Sequence, residues 1–146
     1  MTRRIDRVDK ELIQQAPVIR QEIGLDIESS DNLPAAGDPR SEPFYVENFT
    51  SAEIAWCLCQ PDHKLAFCGL WCAKEAAIKC DQVFAGLRRS EIEIVRDEGG
   101  WPKLQSTRTP DPVWASSYAL SISYSGRMAV AVCLREPLSA ELRTRG

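Results

Sequence analysis

What the sequence lacks excludes several classes of protein. It has no positive balance: 18 Lys and Arg stand against 21 Asp and Glu, a formal charge of −3. No field of that sign holds a nucleic-acid backbone. It has no long apolar run. The longest, Leu65–Ala73, is nine residues with Gly69 inside it, far short of the ~20 needed to cross a bilayer. The start, Met1–Arg20, has no apolar stretch of the secretory kind. Its arginines are interleaved with Asp6, Asp9 and Glu11, unlike a transit peptide. No internal repeat is visible. These absences predict a soluble protein of the cytoplasm that binds neither nucleic acid nor membrane.

What is present suits one compact unit. The 146 residues are 44% hydrophobic and 27% charged. At this size about two-thirds of the unfolded surface is buried on folding, so a core needs no metal or disulfide staple. One domain is expected over 1–138, its core spanning 18–136, with 139–146 as a polar tail. Six cysteines occur, at 57, 59, 68, 72, 80 and 133. Cys57-x-Cys59, His63 and Cys68-x-x-x-Cys72 lack the paired-knuckle spacing of a zinc site. They lie in apolar, helical sequence, where small buried thiols are the simpler reading.

The pattern along the chain mixes helix and strand, with the two clearest helices ahead of four strands. A weak helical stripe (Ile5, Val8, Leu12, Ile13) precedes a strand over 18–27. Pro34, Gly37, Pro39 and Pro43 mark 29–43 as a loop. Thr50 and Glu53 have capping-box spacing, and the helix they open ends before Pro61. A second, largely buried helix runs from Asp62 or His63 to about Cys80. Strands follow at 91–96 and 101–104 around Glu98-Gly99-Gly100. Two more share a hairpin at Ser125-Gly126-Arg127: Tyr118, Leu120, Ile122 and Tyr124 form one face of the first, and Met128, Val130, Val132 and Leu134 one face of the second. Trp101 and Trp114 read as core or subunit-contact residues. The fold class is α+β, a mainly antiparallel sheet packed around a central helix.

Two acidic motifs carry the chemistry. Period two puts Asp26 and Glu28 on one side of the first strand. Glu75 and Lys79 share a face of the long helix, with Lys74 about a hundred degrees round. Asp26, Glu28 and Glu75 could converge on a hard cation such as Mg²⁺, with Lys74 and Lys79 toward phosphate oxygens. Equally, Glu75–Lys79 is an ordinary helix ion pair and Asp26 a turn residue.

The order of segments separates these readings. Ile23-Gly24-Leu25-Asp26-Ile27 comes first, then Phe49-Thr50-x-x-Glu53. Cys72-Ala73-Lys74-Glu75-Ala76-Ala77-x-Lys79 follows, then Ile92-Glu93-Ile94 with Gly100-x-Pro102. Leu120-Ser121-Ile122-Ser123 leads into Ala129-Val130-Ala131-Val132. The chain resembles the 4′-phosphopantetheinyl transferase superfamily over about residues 22–136, in its short holo-acyl-carrier-protein synthase form. The resemblance implies a compact lobe that associates as a homotrimer, with a coenzyme A cleft between subunits. It implies Mg²⁺-dependent transfer of the phosphopantetheine arm of coenzyme A to a serine of an apo acyl or peptidyl carrier protein, releasing 3′,5′-ADP. Asp26 and Glu75 would hold the metal, and Glu28 fits a third carboxylate of the longer branch. Glu75 and Lys79 would be catalytic, and Lys74, Lys79, Ser123 and Tyr124 would bind the nucleotide.

Three features depart from the family pattern. Tyr124 stands where His is usual. Leu70 and Trp71 stand where Arg and Phe are usual. The stretch Ser29–Pro43, often a basic helix that grips the carrier, is Pro-rich with only Arg40 as a cation. A catalytically weakened coenzyme A-binding relative is the alternative these departures raise.

Overall fold

The computed structural model describes residues 22–108 and 116–136. The stripe of residues 1–16, the beginning of the strand expected over 18–27, Trp114 and the tail of 139–146 lie outside the described residues. Strand β1 (Ile23–Ser29) is followed by helices α1 (Pro43–Asn48), α2 (Ser51–Leu58) and α3 (His63–Cys80). Strands β2 (Ile92–Arg96), β3 (Pro102–Ser106), β4 (Tyr118–Ser125) and β5 (Met128–Arg135) complete the order. β1, β5 and β4 form one antiparallel sheet in that order, and β2 pairs with β3 in a second. This is the expected α+β arrangement. No helix among the described residues is long and apolar enough to cross a membrane.

α3 lies across the three-stranded sheet, and small side chains set how closely it lies. The sheet face beneath it is built in rows: Gly24–Cys133–Leu120, Asp26–Ala131–Ile122 and Glu28–Ala129–Tyr124. A Cβ at Gly24 would overlap the Ala76 carbonyl oxygen and meet the Cys80 backbone nitrogen at 2.6 Å. Cys68, Cys72, Ala73, Ala76 and Ala77 on the helix are fully buried. The thiols act as donors in this seam. Cys68 Sγ meets the Glu28 carbonyl at 3.4 Å, Cys72 Sγ that of Ala129 at 3.5 Å and Cys80 Sγ that of Glu22 at 3.3 Å. Burial pushes the Cys57, Cys80 and Cys133 thiols up, which keeps them protonated.

Met128, Val130, Val132 and Leu134 share one face of β5 as expected, and that face is not the core one. The core side carries Ala129, Ala131 and Cys133, all fully buried. Met128, Val130, Val132 and Leu134 lie on the outer side, where they continue a row of Ile23, Leu25 and Ile27. Both faces of this strand are apolar, so residue size decided which one fits under a close helix. The hairpin turns through two residues, Gly126 and Arg127, with Gly126 at φ 57°, a conformation glycine reaches without strain. α1, which the Pro-rich reading of 29–43 did not anticipate, starts at Pro43 and buries Tyr45. Tyr45 and Phe49 both pack on Phe67, with ring centroids 4.6 and 5.1 Å away. Trp101 is 69% exposed, so it is not a core residue.

Among the described residues one charged pair, Lys74 and Glu53, sits inside this core. Lys74 has no exposed side-chain surface, and its Nζ donates to Glu53 Oε2 at 2.7 Å, the Asn48 carbonyl at 2.8 Å and the Arg89 carbonyl at 2.9 Å. Those are three acceptors for the three donors an ammonium has. Glu53 completes the Thr50 capping box, donors coming from the Thr50 N–H to Oε2 at 2.9 Å and the Ile94 N–H to Oε1 at 2.8 Å. Burial pushes the Lys74 ammonium down and the Glu53 carboxyl up, and each group's charge opposes the other's shift. This corrects the expectation that Lys74 binds the nucleotide: its ammonium is enclosed and has no donor left for phosphate.

Two stability measurements check this packing. Gly24→Ala forces α3 off β1 and should cost at least about 1–3 kcal/mol in denaturant unfolding, the range for overpacking. Lys74→Met leaves Glu53 charged and unpaired in the core and should cost about 3–5 kcal/mol. A Lys74→Met protein of unchanged stability that had lost coenzyme A binding would return Lys74 to the donor site.

Candidate active site

Three of the residues singled out from the sequence, Asp26, Glu75 and Lys79, come together where β1 passes the C-terminal half of α3. Asp26 faces the helix because it lies two residues beyond Gly24, on the side that α3 covers. Glu75 and Lys79 are one helical turn apart on α3. Lys79 Nζ donates to Asp26 Oδ1 at 2.7 Å and to the Leu25 carbonyl at 3.2 Å. The Lys79 side chain is 53% exposed and that of Asp26 15%, so the pair opens to solvent from the lysine side. Its hydrogen bond to Asp26 raises the Lys79 pKa above the ordinary lysine value, and the charges of Asp26 and Glu75 add to this.

Glu75 has a partner that the sequence did not reveal. Arg89, from the 3₁₀ turn Arg89–Glu91, donates its Nε to Glu75 Oε1 at 2.8 Å. Its guanidinium carbon lies 5.7 Å from the centroid of the Trp71 ring, which in turn packs on Phe44 at 5.3 Å. The result is a line of alternating charge, Asp26–Lys79–Glu75–Arg89, that is neutral overall. No spacing rule links residue 89 to residue 75, and the turn is held by contacts distant in sequence, among them the buried Lys74 on the Arg89 carbonyl and the Thr107 N–H on the Glu91 carbonyl.

Glu28 does not join this group. Its Oε1 accepts from the Ser29 N–H at 2.8 Å and from Asn32 Nδ2 at 2.6 Å, which closes the turn after β1. Among the described residues no three carboxylates, thiols or imidazoles gather as a metal cluster. The expected three-carboxylate set is thereby corrected: the local turn claims Glu28. Asp26 and Glu75 remain as two hard oxygen donors from two rigid elements. That donor set fits Mg²⁺, which keeps several waters and takes further oxygens from a phosphate substrate.

Ser123 and Tyr124 stand elsewhere. β4 is separated from β1 by β5, so it lies about 10 Å away at the usual strand spacing. The two residues also point to opposite faces. Ser123 falls in the outer row with Val130 and Ile27, and Tyr124 in the helix-side row with Ala129 and Glu28. Tyr124 rests over Gly69 of α3, where a Cβ would strike its ring. It borders a cleft of about 530 Å³ with Trp56, Leu65 and Arg96. Burial pushes the Tyr124 phenol up, so it remains a neutral hydrogen-bonding group. Leu70 is 2% exposed, part of the core rather than a surface position.

Relatives place this geometry in a family. Residues 22–133 match the 4′-phosphopantetheinyl transferase superfamily. The chain is 35% identical over 118 residues to a holo-[acyl-carrier-protein] synthase of Chlorobaculum tepidum, covering 80% of this chain and 98% of that protein. It is 32% identical over 121 residues to fatty acid synthase subunit alpha of Candida albicans, covering 78% of this chain but 6% of that much longer polypeptide. An ACPS–CoA complex from Chronobacterium ammoniagenes superposes with a TM-score of 0.59 at 26% identity, covering 81% of this chain and 98% of that one. The holo-[acyl-carrier-protein] synthase of Thermotoga maritima has the same fold, with a TM-score of 0.62 at 21% identity over 85% of this chain and 73% of that one. The motif residues on β1 and α3 thus lie within a match that spans most of the chain, and the chain belongs to the 4′-phosphopantetheinyl transferase superfamily, of the holo-[acyl-carrier-protein] synthase type.

Proposed function

We propose that this enzyme transfers the 4′-phosphopantetheine arm of coenzyme A to a serine of an apo acyl or peptidyl carrier protein, releasing 3′,5′-ADP in a Mg²⁺-dependent reaction. The observation that carries the reading is the charge-balanced line Asp26–Lys79–Glu75–Arg89 where β1 meets α3. The seryl oxygen bonds to the phosphorus on the pantetheine side of the pyrophosphate. The bond from that phosphorus to the bridging oxygen breaks, and the bridging oxygen leaves with 3′,5′-ADP. The Mg²⁺ held by Asp26 and Glu75 would neutralise phosphate charge as it develops. Lys79, an ammonium at neutral pH like any lysine near water, faces phosphate oxygens rather than acting as a base. The serine proton then falls to Glu75, the carboxylate one helical turn from Lys79.

The outer sheet face supports assembly as a homotrimer. Ile23, Leu25 and Ile27 are 58, 53 and 59% exposed, and Val130, Val132 and Met128 extend the same patch. Contiguous apolar surface of this kind marks an interaction site. The placement of Ser123 and Tyr124 on β4, apart from Asp26, supports a coenzyme A cleft completed between copies. The whole chain then acts as one lobe of that assembly, in keeping with a single domain over 1–138 and a cytoplasmic enzyme.

Mixing the enzyme with an apo-carrier, coenzyme A and Mg²⁺ should raise the carrier's mass by one phosphopantetheine arm. Coenzyme A binding with no mass gain on any of several carriers would favour the weakened relative, and no binding would reject both. Asp26→Asn and Glu75→Gln should each lower turnover about 10²–10³-fold, the usual size of a lost electrostatic contact, with the fold intact by circular dichroism. Leu25→Asp should convert the trimer to monomer in light scattering and abolish transfer together with it; an active monomer would overturn the shared cleft.

A further inference from the structure

Arg89 occupies an unusual position for a surface ion pair. Its backbone is fixed from below, because its carbonyl accepts from the fully enclosed Lys74. Its side chain spends one donor, Nε, on Glu75, while a guanidinium carries five. The side chain is 39% exposed, so it is not walled into the contact. The Trp71 ring holds the guanidinium plane from one side. The group is therefore a planar, permanently charged fork, anchored at its base and open at the mouth of the site.

The charge count around it has a consequence. Without ligands, Asp26 is neutralised by Lys79 and Glu75 by Arg89. A divalent cation that takes up both carboxylates leaves Lys79 and Arg89 unpaired beside it, a like-charge arrangement that costs free energy. A diphosphate removes the cost by giving both cations new partners. An arginine fork suits phosphate oxygens better than a lysine point charge does. Cation and donor must then favour each other's binding, and the coupling is reciprocal.

We propose that Arg89 is a donor-specificity and positioning residue: it releases Glu75 to the divalent cation and binds phosphate oxygens of coenzyme A, making the two ligands bind cooperatively. The proposal rests on the transferase reading above and adds a residue that lies outside its sequence motifs.

The test is a linkage titration on the full-length protein. Mn²⁺ binding is followed by electron paramagnetic resonance with and without coenzyme A, and coenzyme A binding by calorimetry with and without Mn²⁺. In the wild type each ligand should tighten the other severalfold. Arg89→Gln frees Glu75, so Mn²⁺ alone should bind more tightly than in the wild type. The same variant should bind coenzyme A about tenfold more weakly, the value of one charge-assisted hydrogen bond, and lose most of the coupling. In steady-state kinetics KM for coenzyme A should rise more than kcat falls. Arg89→Lys, which keeps the charge and loses the fork, should fall between the two and serves if the glutamine variant is unstable. Arg88→Gln, whose side chain is 80% exposed and bonded to Glu91, should match the wild type throughout. Coenzyme A affinity within twofold of the wild type and unchanged coupling in Arg89→Gln would overturn the proposal. A wild type that binds no coenzyme A would overturn the transferase reading itself, and is distinguished because it does not involve the variant.

Discussion

The Lys74–Glu53 ion pair is the contact on which the rest of the chain is hung. Its ammonium and carboxylate reach the end of α1 through Asn48, the start of α2 through Thr50, the backbone of β2 through Ile94 and the turn before β2 through Arg89. Four segments with little else in common are thus located against α3 by one buried pair. Such a pair is a poor source of net stability, because desolvation offsets most of its attraction. Its contribution is specificity. A segment that docks wrongly leaves one of these donors or acceptors unsatisfied in the core, at about 1–3 kcal/mol each.

Beside this fixed charge lies an exchangeable one. Lys74 and Glu75 are adjacent in sequence, yet α3 turns them to different surroundings. Lys74 is sealed in structure, while Glu75 meets a cation that is open to solvent. The small-residue seam along β1 and β5 brings the strand close enough for Asp26 to reach Lys79 on the same helix. Packing of alanine, glycine and cysteine therefore decides where the acidic motif of the strand meets that of the helix.

Much of this was legible in the sequence because it depends on local periodicity. The capping box at Thr50 and Glu53, α3 from His63 to Cys80, the β4–β5 hairpin and the common face of Asp26 and Glu28 all follow from spacing within a few residues. What was not legible depends on contacts distant in sequence. A lysine in a helical motif reads the same whether it ends in water or against Glu53, so the motif alone does not separate a nucleotide ligand from the core group that Lys74 is. The two apolar faces of β5 differ only in size, and only the closeness of α3 chooses between them. Glu28 has the right period for a ligand but also a local asparagine that claims it. Arg89 gave no signal, since its partner is fourteen residues away across a turn.

The thiols of the seam give the protein a built-in gauge of its own opening. Cys59 is exposed, whereas Cys57, Cys68, Cys72, Cys80 and Cys133 are buried. A thiol reagent can reach those five only when the helix lifts from the sheet or its neighbours part. Their modification rate relative to that of Cys59 therefore reports the free energy of that opening, much as slow amide exchange does for a backbone. Ligands that bind only the closed arrangement would slow all but one of these reactions, so occupancy of the site can be read from chemistry at its back.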